Sequence, residues 1–267
     1  MTLHVLIPCS KSKSIDASDD LTWSAKMTRD AWTTAWTSSM VKTPADLLYT
    51  GRIFVEQLRL CSEHENVKVY IISAGAGLIH PPGQAIPSYE ATFQNSASIA
   101  HQHWTHLPLG GLEKLILNSE DQVLCFAPPA YQRALKGDSR YHEICPALIV
   151  LSSSPLAGEA TTVLKVHPRT KEVLKVSSRD LNTHLLRLYL AGGEVAFESL
   201  YRNCLVLPVA KKRRSIGDEE LRELISKAPP DIRKSISRTV RYIRRECHVS
   251  SIDTRIRKIL LEVRGDS

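Results

Sequence analysis

The sequence predicts an α/β fold: a central four-stranded parallel sheet flanked by helices, followed by a basic helical C-terminal extension. Two observations predict the sheet. Segments rich in β-forming apolar residues are continuous rather than alternating, which is typical of strands buried on both faces. They cover residues 3–8, 67–73, 122–127 and 147–151. Helical patterns lie between them, and this alternation of strand and helix is typical of a parallel sheet.

The other elements are predicted in chain order. In the first helical segment, large apolar side chains such as Trp32 and Trp36 recur at spacings of four or five. The predicted helices cover residues 22–41, 52–64, 96–117 with a break near Pro108, 129–136 and 179–191, and 194–207 continues as a helix or a helix-to-strand segment. Residues 161–167 and 171–176 are predicted to form a short hairpin.

The positive charge is concentrated near the C-terminus. Of a net charge of +7, residues 211–267 supply the whole excess, with 16 Lys and Arg against 9 Asp and Glu, whereas residues 1–210 hold 19 of each. We therefore predict an α/β domain over 1–210 and a basic extension over 211–267, with helices at 217–227, 231–247 and 252–263. A localised basic surface is typical of proteins that bind phosphate backbones, although a solvated helical face has the same composition.

The composition excludes several classes of protein. No apolar segment approaches the roughly 20 residues that cross a bilayer and no secretory leader is visible, so a cytoplasmic protein without membrane contact is expected. The six cysteines are scattered, which supports neither a zinc site nor a disulfide framework. His101 and His103 would point about 200° apart on a helix, so no metal is predicted. Neither a cofactor nor an obligate protein partner is predicted.

Small polar residues follow three of the predicted strands. Because the carboxyl ends of parallel strands share one edge, where ligands bind in open α/β sheets, these loops are expected to converge on one site. Any one of the loops alone is equally explained as a tight turn between a strand and a helix. They contribute Cys9, Ser10, Ser12, Ser73, Gly75 and Ser153.

A carboxylate lies beside an aromatic ring in the long loop after the second strand. Glu90 is suited to stabilise a cationic sugar or orient water, and Tyr89 is suited to stack on a base. Alternatively, Glu90 caps the helix that follows it. Tyr49 and Arg52 flank a second turn, where backbone N–H groups and the guanidinium could bind an anion, or where Thr50 is an ordinary N-cap.

Four motifs, taken in order, resemble a family of bacterial domains. They are PCSKSK at 8–13, ADLLYTGRIF at 45–54, IISAGAGLI at 71–79 and IPSYEATF at 86–93. They are similar to YaaA-like domains and to the uracil-DNA-glycosylase-like domain of archaeosine transglycosylases. The family includes an anti-phage DNA glycosylase that acts on glucosylated hydroxymethylcytosine. The resemblance covers roughly residues 3–155.

The resemblance implies a four-stranded parallel sheet with a base pocket at the strand ends. The SSSPLAG segment after the fourth strand is similar to the His-Pro-Ser-Pro-Leu loop with which uracil-DNA glycosylases press on the DNA backbone, and Ser152 or Ser153 replaces the histidine. Their water-activating Gly-Gln-Asp-Pro-Tyr motif is absent, and residues 8–11 take its place. Their catalytic aspartate therefore has no counterpart here, and ordinary uracil excision is not expected.

The leading hypothesis is a DNA glycosylase that flips a glucosylated hydroxymethylcytosine out of double-stranded phage DNA and leaves an abasic site. Glu90 would act on the sugar and Tyr89 would stack on the base. Substrate binding would involve Cys9, Ser10, Ser12, Ser73, Gly75 and Tyr49. The DNA phosphates would contact Lys11, Lys13, Arg52, Ser153, Lys211, Lys212, Arg213 and Arg214.

Three alternatives are open. Lys11 or Lys13 could attack C1′ as an amine and give lyase activity, but the sequence shows no desolvating context for either lysine. A non-catalytic DNA-binding stress or repair accessory protein would use the basic extension and would not need Glu90. A hydrolase or transferase of free nucleotides would leave the charge asymmetry unexplained.

Overall fold

The computed structural model describes residues 1–93, 99, 101–206 and 214–265. The chain divides into two compact units, Met1–Val206 and Leu207–Ser267. The boundary predicted at residue 210 lies outside the described residues, as do residues 96–98 and 100 of the helix predicted over 96–117.

The first unit alternates strands with helices. Its strands are β1 (Leu3–Pro8), β2 (Thr43–Pro44), β3 (Val67–Ser73), β4 (Gly77–Ile79), β5 (Ala85–Ile86), β6 (Gln122–Cys125), β7 (Leu148–Leu151) and β8 (Thr162–Leu164). Its helices are α1 (Arg29–Ser38), α2 (Ala45–Leu48), α3 (Arg52–Ser62), α4 (Pro129–Lys136), α5 (Tyr141–Ile144), α6 (Thr170–Leu174) and α7 (Leu181–Leu205). Short 3-10 helices cover Asp19–Leu21, His101–His106, Leu112–Lys114 and Cys145–Ala147.

A six-stranded, mostly parallel sheet forms the centre of this unit, in the order β4-β3-β1-β6-β7-β8. Strands β3, β1, β6, β7 and β8 run parallel, and β4 pairs antiparallel with β3. The four predicted strands are present as β1, β3, β6 and β7, so the α/β class is confirmed, whereas the count of four is wrong. The two additional strands have only three residues each, too few for a recognisable apolar pattern.

The predicted hairpin is also wrong. Thr162 pairs in parallel with Ile149, so this segment extends the sheet beyond β7 instead of pairing with the residues after it. Those residues form α6, which packs on α7 through the buried Thr170, whose hydroxyl lies 3.7 Å from Cys204 Sγ. The backbone groups of both segments thus gain partners outside a local hairpin.

The helices also differ in part from the predicted spans. The helix predicted over 22–41 is only α1, since the Thr28 side chain accepts the Ala31 N–H at 3.2 Å and begins the helix there. In place of the helix predicted over 96–117, the described residues form 3-10 turns. The predicted break between the segments 179–191 and 194–207 is confirmed, because Gly192 and Gly193 have non-helical dihedrals inside α7, with φ of 56° at Gly193.

His4 and Asp121 form a buried polar pair at the start of the sheet. His4 Nε2 donates to Asp121 Oδ2 at 3.4 Å, and the carboxylate also accepts the backbone N–H groups of Asn118 and Thr2. These N–H groups hold the pKa of Asp121 well below its usual range. Burial lowers the pKa of His4, an effect that Asp121 offsets only in part. There is therefore a pH range in which His4 is neutral in the folded protein but protonated in the unfolded chain.

We expect His4→Phe to weaken the pH dependence of stability. In the wild type the unfolded state binds more protons below the ordinary histidine pKa, so the free energy of unfolding decreases from about pH 7 to about pH 5, by at most about 1.4 kcal/mol per pH unit from this group. The variant lacks this contribution, so its free energy of unfolding, measured by urea unfolding at the two pH values, should decrease less. An equal decrease in both proteins would contradict the assignment.

The second unit has a hydrophobic core of its own. Its elements are β9 (Arg214–Ser215), α8 (Asp218–Lys227), α9 (Pro230–Arg233), α10 (Ile236–Arg245), β10 (Val249–Ser250) and α11 (Asp253–Arg264). Leu221, Ile225, Ile243, Ile256 and Leu260 are buried at its centre. The predicted helices at 217–227 and 252–263 are confirmed, and the one at 231–247 is divided into α9 and α10 because Ser235 caps the latter. Across the described ranges, no helix is long and apolar enough to span a membrane.

Candidate functional site

The loops after β1 and β3 lie side by side, because these strands are parallel neighbours. The Cys9 N–H donates to Ile72 O at 2.9 Å, so the first loop begins against the end of β3. Further along, the backbone of residues 12–14 pairs with that of residues 48–50 through hydrogen bonds of 2.8 and 3.0 Å. Two of the motifs quoted from the sequence are thereby held together.

Ser73 is the centre of a buried hydroxyl cluster. Its Oγ accepts the backbone N–H groups of Gly75 and Ala76 at 3.3 and 2.9 Å and also hydrogen-bonds the Tyr89 hydroxyl. The Tyr49 hydroxyl donates to Ser73 Oγ at 3.5 Å and lies 2.6 Å from that of Tyr89. Burial raises the pKa of both tyrosines, so the cluster is uncharged at neutral pH.

Indole groups fix the turn that follows Ser73. Trp104 Nε1 donates to Ser73 O at 2.9 Å, and Trp32 Nε1 donates to Gly75 O at 2.8 Å. The Tyr89 ring packs against Trp32 and Trp36, with centroid distances of 6.2 and 5.5 Å. The turn after β3 is therefore held by side chains from outside the sheet.

Lys13 lies over the two tyrosines. Its Nζ is 4.7 Å from the centroid of the Tyr89 ring and 6.0 Å from that of Tyr49, in cation–π geometry. Burial lowers the pKa of Lys13, Lys11 lowers it further, and Cys9 and Glu90 offset part of the shift. The desolvating context that the sequence did not reveal is thus present at Lys13.

Glu90 has an exposed side chain on a fixed backbone. Its N–H donates to Leu21 O at 2.8 Å, and its carbonyl accepts the Trp23 N–H at 2.8 Å. The carboxylate is close enough to Lys13 to act on its pKa. Glu90 is therefore available to a ligand at the rim of the site.

A cavity of about 410 Å³ opens beside the loop after β1. Its lining includes Cys9, Ser10, Lys11, Arg52, Tyr131 and Arg179. Cys9 Sγ and the Tyr131 hydroxyl are 3.7 Å apart, and Ser10 Oγ accepts the Ser12 N–H at 3.1 Å. Arg52 forms an exposed ion pair with Asp180. Three cations around one opening favour an anionic ligand such as a phosphate.

The structure brings most of the predicted site residues of the first unit to this edge of the sheet. They are Cys9, Ser10, Lys11, Ser12, Lys13, Tyr49, Arg52, Ser73, Gly75, Tyr89 and Glu90. Ser153 is exposed in the loop after β7 and does not line the cavity. Lys211, Lys212 and Arg213 lie outside the described residues, and Arg214 in the second unit pairs with Glu220.

Three predicted roles do not fit these positions. Tyr89 and Tyr49 are each 1% exposed and Ser73 is fully buried. A base could stack on Tyr89 only if Lys13 left its ring, and the Ser73 hydroxyl is already occupied by its neighbours. These residues form the wall behind the site instead of a surface that contacts a ligand.

Sequence reasoning missed four residues of the site. Trp32 has a helical spacing that indicates a core position, and Trp104 lies in a segment predicted as helix. Tyr131 and Arg179 reach the cavity from the start of α4 and the segment before α7. No motif marks these residues, because only the fold brings them near Cys9. Within the described residues no three His, Cys, Asp or Glu side chains are placed to hold a metal ion.

Comparison with models of known protein families matches part of the chain. Residues 34–149 match the model of a family of unknown function (DUF6884), which is less than half of the chain. No curated protein and no solved structure matches the sequence. The matched range includes Tyr49, Ser73 and Glu90 and ends within β7.

Proposed function

We propose that the protein is a DNA glycosylase with a uracil-DNA-glycosylase-like first unit. Its substrate would be a modified cytosine, the α-glucosylated hydroxymethylcytosine of phage DNA, and its product an abasic site. The reaction would be part of antiviral defence, in the cytoplasm, and it would need no cofactor. The alternative is a DNA-binding stress or repair accessory protein without catalysis.

One observation carries the proposal. The loops after the adjacent parallel strands β1 and β6 meet at a cavity of about 410 Å³ that has three cations in its lining. The Glu90 carboxylate lies outside this lining, near enough to Lys13 to act on its pKa. Cations fit the phosphates that flank a flipped nucleotide, and a carboxylate fits the positive charge that develops on its sugar. A pocket of this size holds a ligand as large as a modified base.

Different side chains would act on the sugar, the base and the phosphates in the proposed reaction. Glu90 would stabilise the oxocarbenium-like sugar or direct water at C1′. Ser10, Ser12 and Cys9 would contact the base or its glucose, since they belong to the loop beside the cavity. Lys11, Arg52 and Arg179 would neutralise phosphates, and Arg52 has further N–H groups besides those that bind Asp180.

The second unit supports a DNA partner through one basic face. Arg238, Arg241 and Arg245 recur at spacings of three and four on α10 and are all exposed. None of the three has a carboxylate within ion-pair distance among the residues that the structure describes. Unpaired arginines in a row are suited to bind consecutive phosphates.

The test uses phage DNA that carries glucosylated hydroxymethylcytosine and the same DNA without the modification. Each is incubated with the full chain and then treated with alkali, which breaks DNA at abasic sites. We expect strand breaks after this treatment in the modified DNA only. Equal intactness of the two DNAs after treatment would exclude the proposed function.

A further inference from the structure

We propose that Lys13 forms a covalent imine with the sugar of an abasic site, so that the site has a strand-cleaving lyase activity in addition to base excision. The inference rests on the proposed function, because an abasic site is the product of that reaction. The ligand is the ring-opened deoxyribose, which exposes an aldehyde at C1′.

The position of the Lys13 amine carries the proposal. Nζ donates to Lys11 O at 3.5 Å, and Lys11 lines the cavity. The backbone on both sides of Lys13 is held by hydrogen bonds to residues 48–50, so the side chain extends from a backbone that is fixed in place. The amine therefore lies beside the cavity.

The surroundings of this amine are those of a nucleophilic lysine. Aromatic rings cover one side of Nζ, and within the described part of the chain no carboxylate lies within ion-pair distance of it. Burial lowers its pKa, which increases the fraction of the neutral amine. Glu90 is near enough to act on Lys13 electrostatically and is exposed, so it is placed to take a proton from a bound sugar.

The proposed reaction balances without an external redox partner. The neutral Nζ attacks C1′ of the aldehyde and a C–N bond forms. The resulting carbinolamine takes a proton from the solvent and loses its hydroxyl group as water, which gives a protonated imine. A base, Glu90 or water, then removes a proton from C2′, and the electron pair breaks the C3′–O bond. The leaving group is the phosphate of the downstream strand, and hydrolysis of the imine restores Lys13 and releases an unsaturated aldehyde.

The test uses a duplex with a preformed abasic site, so it does not depend on excision of any base. Borohydride donates hydride to an imine and converts it to a stable amine, which links the protein to the DNA. We expect a trapped adduct with the wild type and its attachment at Lys13 by peptide mass spectrometry. Lys13→Gln and Lys13→Arg should each lower the yield at least about tenfold, since neither side chain can form the imine.

Lys42→Gln is the matched control, because Lys42 is an exposed lysine of the same unit outside the site. It should trap as much DNA as the wild type. Absence of an adduct, or attachment at another residue of the wild type, would overturn the proposal even if a variant failed to fold. Base excision without an adduct would overturn the lyase alone, and an adduct without base excision would support the lyase while excluding the proposed glycosylase.

Discussion

Glu90→Gln should lower the rate of base release from glucosylated phage DNA by about 100-fold or more, the range expected for loss of a residue that acts on the transition state. The amide has the same shape but no charge, so it cannot stabilise a cationic sugar or accept a proton. Because the side chain is exposed and only the backbone of Glu90 forms hydrogen bonds, the fold should tolerate the change. Base release is measured in single turnovers, and DNA affinity by titration at fixed salt.

The affinity measurement separates the enzyme from a DNA-binding accessory protein. If the protein is the enzyme, Glu90→Gln leaves its DNA affinity nearly unchanged and removes its activity. If it is an accessory protein, the substitution should change the result of neither assay. Glu65→Gln is the control, since Glu65 is exposed and lies two residues before β3, at the amino end of the sheet. Equal rates for Glu90→Gln and Glu65→Gln would mean that the catalytic acid is another residue.

Gly75→Ala should lower the free energy of unfolding of the first unit by about 1–3 kcal/mol, the cost of overpacking a tight interior. A Cβ at this position would lie 2.5 Å from two ring carbons of Tyr89 and 3.0 Å from Trp32. Neither ring can move freely, because the Tyr89 hydroxyl forms a hydrogen bond with Ser73 and the Trp32 indole donates a hydrogen bond to Gly75 O. The measurement is urea unfolding followed by far-ultraviolet circular dichroism.

Gly158→Ala is the matched control for this substitution. A Cβ at Gly158 would meet nothing within 4 Å, and its stability should stay within about 0.5 kcal/mol of the wild type. If both variants unfold at the same urea concentration, the turn after β3 has more freedom than its contacts indicate. If Gly75→Ala also releases base more slowly under conditions where the variant is fully folded, the turn positions the site in addition to stabilising the fold.

The elements with long patterns could be predicted from the sequence. Strands β1 and β3 are continuous apolar segments, and α8 and α11 have clear amphipathic spacing, so their positions follow from periodicity alone. By contrast, β8 has three residues and is a strand only because the open edge of β7 accepts it. Such an element depends on a partner remote in sequence, and no local pattern specifies it.

The candidate site was predictable in its location but not in its division of roles. The small polar loops mark the edge of the sheet where they meet. Whether a residue faces a ligand or the core is decided by packing, however, and Tyr49 and Ser73, which are 24 residues apart, come to share one buried cluster. Burial likewise lowers the pKa of Lys13, and the rings that lie over its amine belong to residues far away in the sequence.

The tryptophans around the turn after β3 make the intrinsic fluorescence of the chain specific to this part of the first unit. The chain contains four, and Trp23 packs on Trp32 at a centroid distance of 5.3 Å, so all of them lie in this cluster or contact it. Residues 207–267 contain no tryptophan. The intrinsic fluorescence of the chain therefore reports on the environment of Ser73, Gly75 and Tyr89 without a label. It follows the unfolding of the first unit, while circular dichroism also records the helices of the second.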